Sequence, residues 1–216
     1  DHRDLHSFPT RRSSDLGEIA GCIKSFGRRP TEYKVALDGL SVYVNNDNPL
    51  TEISIPQLRE IFTGQIKNWK DVGGPDAPIT VYSRENSSGT YEFFKEHILK
   101  GADFAASAQT MPGTAALLQA VAKDKNGIGY GGAAYGAGAK AIKVKKDESS
   151  PAIEPTEENV VKGVYPIWRY LYIYVNPALD KGEIAKYLTW IRSTEGQKIV
   201  KDVGYYPLPE NLQAKN

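Results

Sequence analysis

Apolar and polar positions divide the chain into short strands and amphipathic helices in regular succession. Residues 33–44 (YKVALDGLSVYV) are dense in β-branched and aromatic side chains and stop at the run Asn45-Asn46-Asp47-Asn48-Pro49, which predicts a strand and then a turn. Ser54 caps a helix that has Pro56 in its first turn, Leu58, Ile61 and Phe62 on one face, and Gly64 as its stop. Residues 79–82 form a short strand and 83–90 a polar loop, which runs into a helix marked by Tyr91, Phe94 and Ile98. A helix over residues 114–123 groups Leu117, Leu118 and Val121, ends at Asn126-Gly127 and precedes a strand over 128–130. Residues 145–159 are polar and proline-punctuated and read as an exposed loop, followed by a strand over 169–175. Ile184, Tyr187, Leu188 and Ile191 define one helical face; a last helix starts at Ser193 with Thr194 and Gln197 as its capping pair and ends at Gly204. Strands alternating with helices across short links indicate α/β layers with a largely parallel sheet and no internal repeat.

Residues 1–16 (DHRDLHSFPTRRSSDL) break this pattern. Charges and hydroxyls alternate around Pro9 with neither a helical nor a strand period, and the continuous apolar stretch of about 7–15 residues that marks a secretory signal is missing from them. The string resembles a translated sequencing-adapter artefact. Residues 1–16 are therefore expected to be a non-native or disordered tail and 17–216 to carry the fold, with the native start and any leader lost.

Composition narrows the chemistry. Of 216 residues, 40% are hydrophobic and 25% charged, enough to bury a core; 27 basic against 26 acidic side chains leave a net charge of +1, which gives no reason to expect a nucleic-acid or membrane-surface partner. No apolar run approaches the roughly 18 residues that span a bilayer. Cys22 is the only cysteine, so an intramolecular disulfide and cysteine-pair zinc sites are excluded. Apart from His2 and His6 in the tail, His97 is the only histidine; in the run YEFFKEHIL it reads as a packed or exposed helical residue, and neither metal nor cofactor is expected.

One segment carries candidate chemistry: Tyr82-Ser83-Arg84-Glu85-Asn86-Ser87-Ser88-Gly89-Thr90, between a strand and a helix. The first backbone N–H groups of a helix lack intrahelical partners and lie at the positive end of its dipole, so an anion there gains hydrogen bonds and charge together. Ser88 and Thr90 add hydroxyls, Gly89 allows close approach, and Arg84 brings a planar fork suited to a tetrahedral oxyanion. By pattern alone the same residues also make a well-capped helix start, and spacing does not choose between the two. Gly127-x-Gly129-x-x-Gly132 matches a dinucleotide-binding string only as text, because it follows a helix and forms a strand; no glycine-lysine-serine/threonine triplet forms a Walker loop.

The motif SRENSSGTYEFF resembles the phosphate-binding loop of periplasmic phosphate-binding proteins, the substrate-binding subunits of phosphate ABC transporters. Residues 37–44 (LDGLSVYV), 58–69 (LREIFTGQIKNW), 127–130 (GIGY), 165–175 (YPIWRYLYIYV) and 195–207 (EGQKIVKDVGYYP) resemble further segments of that family, in the same order. The resemblance implies an α/β, two-lobed, periplasmic-binding-protein-like (type II) fold with the ligand in the cleft. Residues 17–45 and about 170–216 would form the hinge and part of the first lobe, and about 46–169 the second. It implies high-affinity capture of inorganic phosphate and delivery to a membrane permease. Arg84 would be the cationic clamp, Ser88 and Thr90 hydroxyl donors and Gly89 an N–H donor, in a loop completed by Asn86 and Ser87. A monomer without enzymatic activity and without a nucleic-acid partner is expected, periplasmic or extracytoplasmic, or a cell-surface lipoprotein.

Two departures from the family pattern bear on these expectations. Asn86 stands where other members carry an Asp able to accept a hydrogen bond from a proton-bearing phosphate, so that acceptor would have to come from Glu85, the loop's carboxylate, or from the missing part of the first lobe, and sulfate or molybdate stay as alternative ligands. The Gly/Ser/Thr-rich loops that open the family's first lobe do not precede Gly17, so the second lobe is expected to be complete, the first incomplete, and phosphate binding by this chain weak or absent. A phosphoester-hydrolysing enzyme is a third reading, for which Ser88 or Thr90 would need an activating base or a metal. Phe62, Trp69, Trp168, Tyr170, Tyr172, Tyr174 and Trp190 are expected in packing, and Arg169, opening a strand, is expected to need a partner.

Overall fold

The computed structural model describes residues 13–133 and 138–214, with side chains from residue 17 onward. A helix, α1 (Ser13–Phe26), leads into the 14-residue strand β1 (Thr31–Val44). Three strand–helix units follow: β2 (Glu52–Ser54) with α2 (Ile55–Phe62), β3 (Thr80–Arg84) with α3 (Gly89–His97), and β4 (Gln109–Met111) with α4 (Thr114–Lys123). The chain continues through β5 (Gly127–Gly132), β6 (Lys140–Lys145), α5 (Glu157–Val161) and β7 (Trp168–Val175) to α6 (Gly182–Ile191) and α7 (Thr194–Asp202). α1 takes in the last four residues of the segment read as a tail; residues 1–12 lie outside the described residues.

The strands form one sheet in the order β2-β6-β1-β5-β3-β4, with β7 also on β1. Pairs β2–β6, β3–β4 and β3–β5 are parallel, whereas β1 is antiparallel to β5, β6 and β7. The sheet is therefore mixed, not largely parallel. Strand–helix alternation reports the crossovers around β3, but the direction of a strand against β1 depends on where the chain returns from distant sequence, which local pattern does not carry.

β1 serves two sets of partners. Its first part pairs with β7 from Thr31↔Val175 to Gly39↔Trp168, and its last part pairs with β5 from Leu40↔Gly132 to Val44↔Ile128. The change comes between Gly39 and Leu40, directly beside the pair Asp38↔Arg169.

Packing sets the position of α3 and the end of β3. Phe62 of α2, Phe94 of α3 and Tyr130 of β5 are fully buried; Phe94 stacks on Tyr130 with ring centres 3.9 Å apart, and Phe62 tilts against Phe94 at 4.7 Å. Against the other helix of this region, β5 offers backbone in place of side chains. A Cβ on Gly129 would come within 2.5 Å of Leu117 Cδ2, and one on Gly131 within 2.5 Å of Thr114 Cγ2. The glycine-rich text at 127–132 thus lets α4 lie close on the sheet.

Other sequence expectations meet tertiary context. The cap at Ser54 is present with Gln57 as its reciprocal partner. α7 is capped by Ser193, but Gln197 is no capping partner: its amide donates to the carbonyls of Val35 and Ile191 and its carbonyl accepts from Leu208 N–H. Residues 145–159 are not wholly loop: Ile153 bridges Val144, and Thr156 caps α5, which buries Val160. On α6 only Leu188 of the expected face is buried, whereas Ile184 and Tyr187 are exposed.

Candidate anion site

β3 and β4 run parallel with Arg84 opposite Met111, and each continues into a helix, so α3 and α4 both start at the carboxyl edge of this part of the sheet. That edge is where open α/β sheets place ligands. The start of α3 is built by Ser88, an extended N-cap whose Oγ accepts from Thr90 N–H at 3.2 Å, after a turn in which Ser88 N–H donates to Glu85 O at 3.0 Å. Among the described residues the amides of Gly89 and Tyr91 have no partner. α4 starts without a side-chain cap at Gly113, a residue with φ of 95°. Two positive helix ends thus lie together, with unpaired amides at the start of α3.

Tyr130 anchors the strand that delivers Arg84. Its hydroxyl lies 3.0 Å from Ser83 Oγ and accepts from Arg84 N–H at 3.4 Å. Burial pushes the phenol up to about 12, so it stays protonated and available to this network.

Arg84, with a side chain 13% exposed, is held on two sides. Nε and Nη2 donate to Glu85 at 3.1 and 2.7 Å, and Nη1 donates to Thr114 Oγ1 at 2.8 Å. Of the five N–H bonds of a guanidinium, one on each Nη remains. Glu85 also accepts from Gly113 N–H at 3.2 Å. The Arg84 hydrogen bonds, then its own amide and that of Gly113, hold the Glu85 carboxyl down at about 2.

The structure therefore joins Arg84 to a carboxylate and to the start of α4, a link the sequence reading did not contain. Thr114 was visible there only as a helix start. Ser88, Gly89 and Thr90 form the first turn region of α3, with Ser88 buried, Thr90 half-buried and Gly89 exposed. Asn86 and Ser87 are exposed on the loop between Arg84 and that turn. Arg169 has the partner it was expected to need: Nε donates to Asp38 Oδ2 at 3.0 Å, both side chains being largely buried. A separate cavity of about 230 Å³ at β2 and β6, lined by Glu52, Ser54, Gln57, Lys145 and Glu148 among others, shares no residue with this site.

A mixed sheet with helix starts gathered at one carboxyl edge is the setting of a small-ligand receptor, and the comparisons define its class. Residues 11–195 match the PBP superfamily domain. The phosphate-binding protein PstS of Pseudomonas aeruginosa is 34% identical over 223 residues, covering 95% of this chain and 68% of that protein. PstS of Staphylococcus saprophyticus is 35% identical over 193 residues, covering 85% of this chain and 59% of that protein. A Clostridium perfringens protein of this kind, solved with bound phosphate, superposes with a TM-score of 0.70 at 30% identity, over 83% of this chain and 72% of that one. The chain belongs to the PBP superfamily and, within it, to the PstS family of phosphate ABC transporter substrate-binding proteins. It spans about two thirds of the Pseudomonas relative and less of the staphylococcal one. No helix among the described residues is long and apolar enough to cross a membrane.

Proposed function

We propose that this chain captures inorganic phosphate for uptake by an ABC transporter, holding the anion where α3 begins and passing it to a membrane permease. The observation that carries the reading is the set of donors at that point. Gly89 and Tyr91 keep unpartnered amides beside the Ser88 and Thr90 hydroxyls, and Arg84, four residues before Ser88, keeps one N–H on each Nη. In this reading Arg84 is the clamp, Ser88 and Thr90 donate hydroxyls, Gly89 donates its amide, and Asn86 and Ser87 complete the loop. The names of the PstS relatives and the bound phosphate of the Clostridium protein support it.

Selectivity comes from Glu85. Its carboxylate is ionised down to about pH 2 and is fixed beside the clamp, so it favours an anion that retains a proton to share over sulfate or molybdate. The two-lobed arrangement follows the same reading, with residues 17–45 and about 170–216 forming the hinge and part of one lobe and about 46–169 the other. β1 and β7 are then the hinge strands. The protein acts as a monomeric, extracytoplasmic receptor without catalysis and without nucleic acid.

A titration followed by ¹H–¹⁵N NMR tests this with inorganic phosphate as the probe. Saturable shifts of the Gly89, Thr90 and Tyr91 amides and of Arg84 Nε, lost in Arg84→Ala and weaker with sulfate, are expected. Shifts elsewhere with these resonances unmoved would refute it.

A further inference from the structure

Arg169 is the second residue of β7 and lies opposite Asp38, one register position before β1 parts from β7. Besides its bond to Asp38, its Nη1 donates to the carbonyl oxygen of Gly89 at 3.2 Å. Its guanidinium carbon stands 5.0 Å from the centre of the Phe93 ring, and its Nη2 lies 3.9 Å from where a Cβ on Gly89 would sit. Gly89 and Phe93 are one helical turn apart, on the same face of α3. One side chain thus grips the first turn of α3 by a carbonyl and a ring face while it is anchored on β1.

We infer that Arg169 is a positioning residue of the anion site, pinning the first turn of α3 to the β1–β7 strand pair so that the donors at Ser88, Gly89 and Thr90 are oriented before phosphate arrives. This rests on the start of α3 being the phosphate site. Asp38 compensates the charge of Arg169, so its contribution is orientation, and orientation in advance lowers the ordering cost of binding. The planar fork is required because the two acceptors and the ring lie in different directions from it; a lysine can keep Asp38 but not the rest.

Arg169→Lys and the double variant Asp38→Asn/Arg169→Gln, the latter leaving no unpaired buried charge, test the role in the full chain. Hydrogen exchange at the Thr90 and Glu92 amides is measured without ligand, and phosphate is then titrated against the Gly89 and Thr90 resonances. Both variants should fold, exchange faster at Thr90 and Glu92 than at the α4 amides, and bind inorganic phosphate about 10-fold more weakly, the scale of one charge-assisted hydrogen bond. Unchanged exchange in both variants, or an unchanged phosphate dissociation constant, would overturn the positioning role. Absence of any phosphate response in the unaltered chain would sink the phosphate reading itself. The exchange measurement needs no ligand, so it tells that failure apart from failure of the Arg169 contact.

Discussion

Glu85 holds Arg84 side-on, Oε2 accepting from Nε at 3.1 Å and Oε1 from Nη2 at 2.7 Å, so a fixed negative charge sits within the anion clamp itself. An incoming anion must share Arg84 with it and meets its repulsion. Glu85→Gln keeps an acceptor in place while removing the charge. The preference for phosphate over sulfate should narrow by roughly threefold, the scale of a partly exposed charge pair, chiefly because sulfate binds better. Competition titrations of the two anions on both proteins measure this, and an unchanged ratio would remove Glu85 from selectivity.

The same pair makes stability depend on pH in acid. The folded Glu85 carboxyl lies at about 2, below its ordinary value of 4.5, so its contribution is complete above that ordinary value and is lost as pH falls through the folded one. The difference in urea midpoint between the unaltered chain and Glu85→Gln should be constant from neutrality to about pH 5, shrink below it, and vanish only below about pH 2. A difference that persists in strong acid would mean the pair contributes through packing and not through charge.

Ser88 separates capping from ligand binding. Its Oγ accepts from Thr90 N–H, so Ser88→Ala should cost about 1 kcal/mol of stability, whereas Ser88→Gly should cost only a few tenths because glycine is itself a tolerated cap. Both remove the hydroxyl offered to phosphate. Thermal denaturation should rank the variants apart while phosphate titration ranks them together; affinity that tracks stability would make the serine a cap only.

The local elements around this site were legible in the sequence. Ser54 and Pro56 announced the start of α2, and α4 spans residues 114–123 as its periodicity predicted, because caps and apolar spacing are local, whereas the reciprocal partner Gln57 emerged only from the structure. The loop from Arg84 to Thr90 was legible for the same reason. What stayed hidden was long-range. Thr114 meets Arg84 across 30 positions, Arg169 meets Gly89 across 80, and Gln197 reaches Val35 across 162, and no periodicity encodes such pairings. The exposed Ile184 and Tyr187 show the converse: an apolar helical face is a property of sequence, but burial depends on what packs there.

Tyr130 should couple the core to the clamp. Tyr130→Phe keeps the ring stacked on Phe94 but deletes the oxygen that accepts from Arg84 N–H and meets Ser83 Oγ. The expected cost is about 1 kcal/mol in urea denaturation, with weakened phosphate binding, since one buried hydroxyl contact is lost and the end of β3 is freed. Full affinity in a destabilised Tyr130→Phe would show that the end of β3 needs no such anchor.

Gly129 tests whether the glycine-rich strand exists for packing. A Cβ there would stand 2.5 Å from Leu117 Cδ2, 3.1 Å from Val121 Cγ2 and 3.3 Å from Leu117 Cγ, and both neighbours are fully buried, so neither can swing into solvent. α4 must lift, and with it Thr114, which accepts from Arg84 at its first turn. Gly129→Ala should therefore destabilise the fold by about 1–3 kcal/mol and also disturb the Arg84 Nε resonance. Pairing it with Leu117→Ala makes room for the new methyl and should restore that resonance, even though the truncation has its own cost. An Arg84 signal that stays in place in Gly129→Ala would mean that α4 accommodates the methyl without moving its first turn.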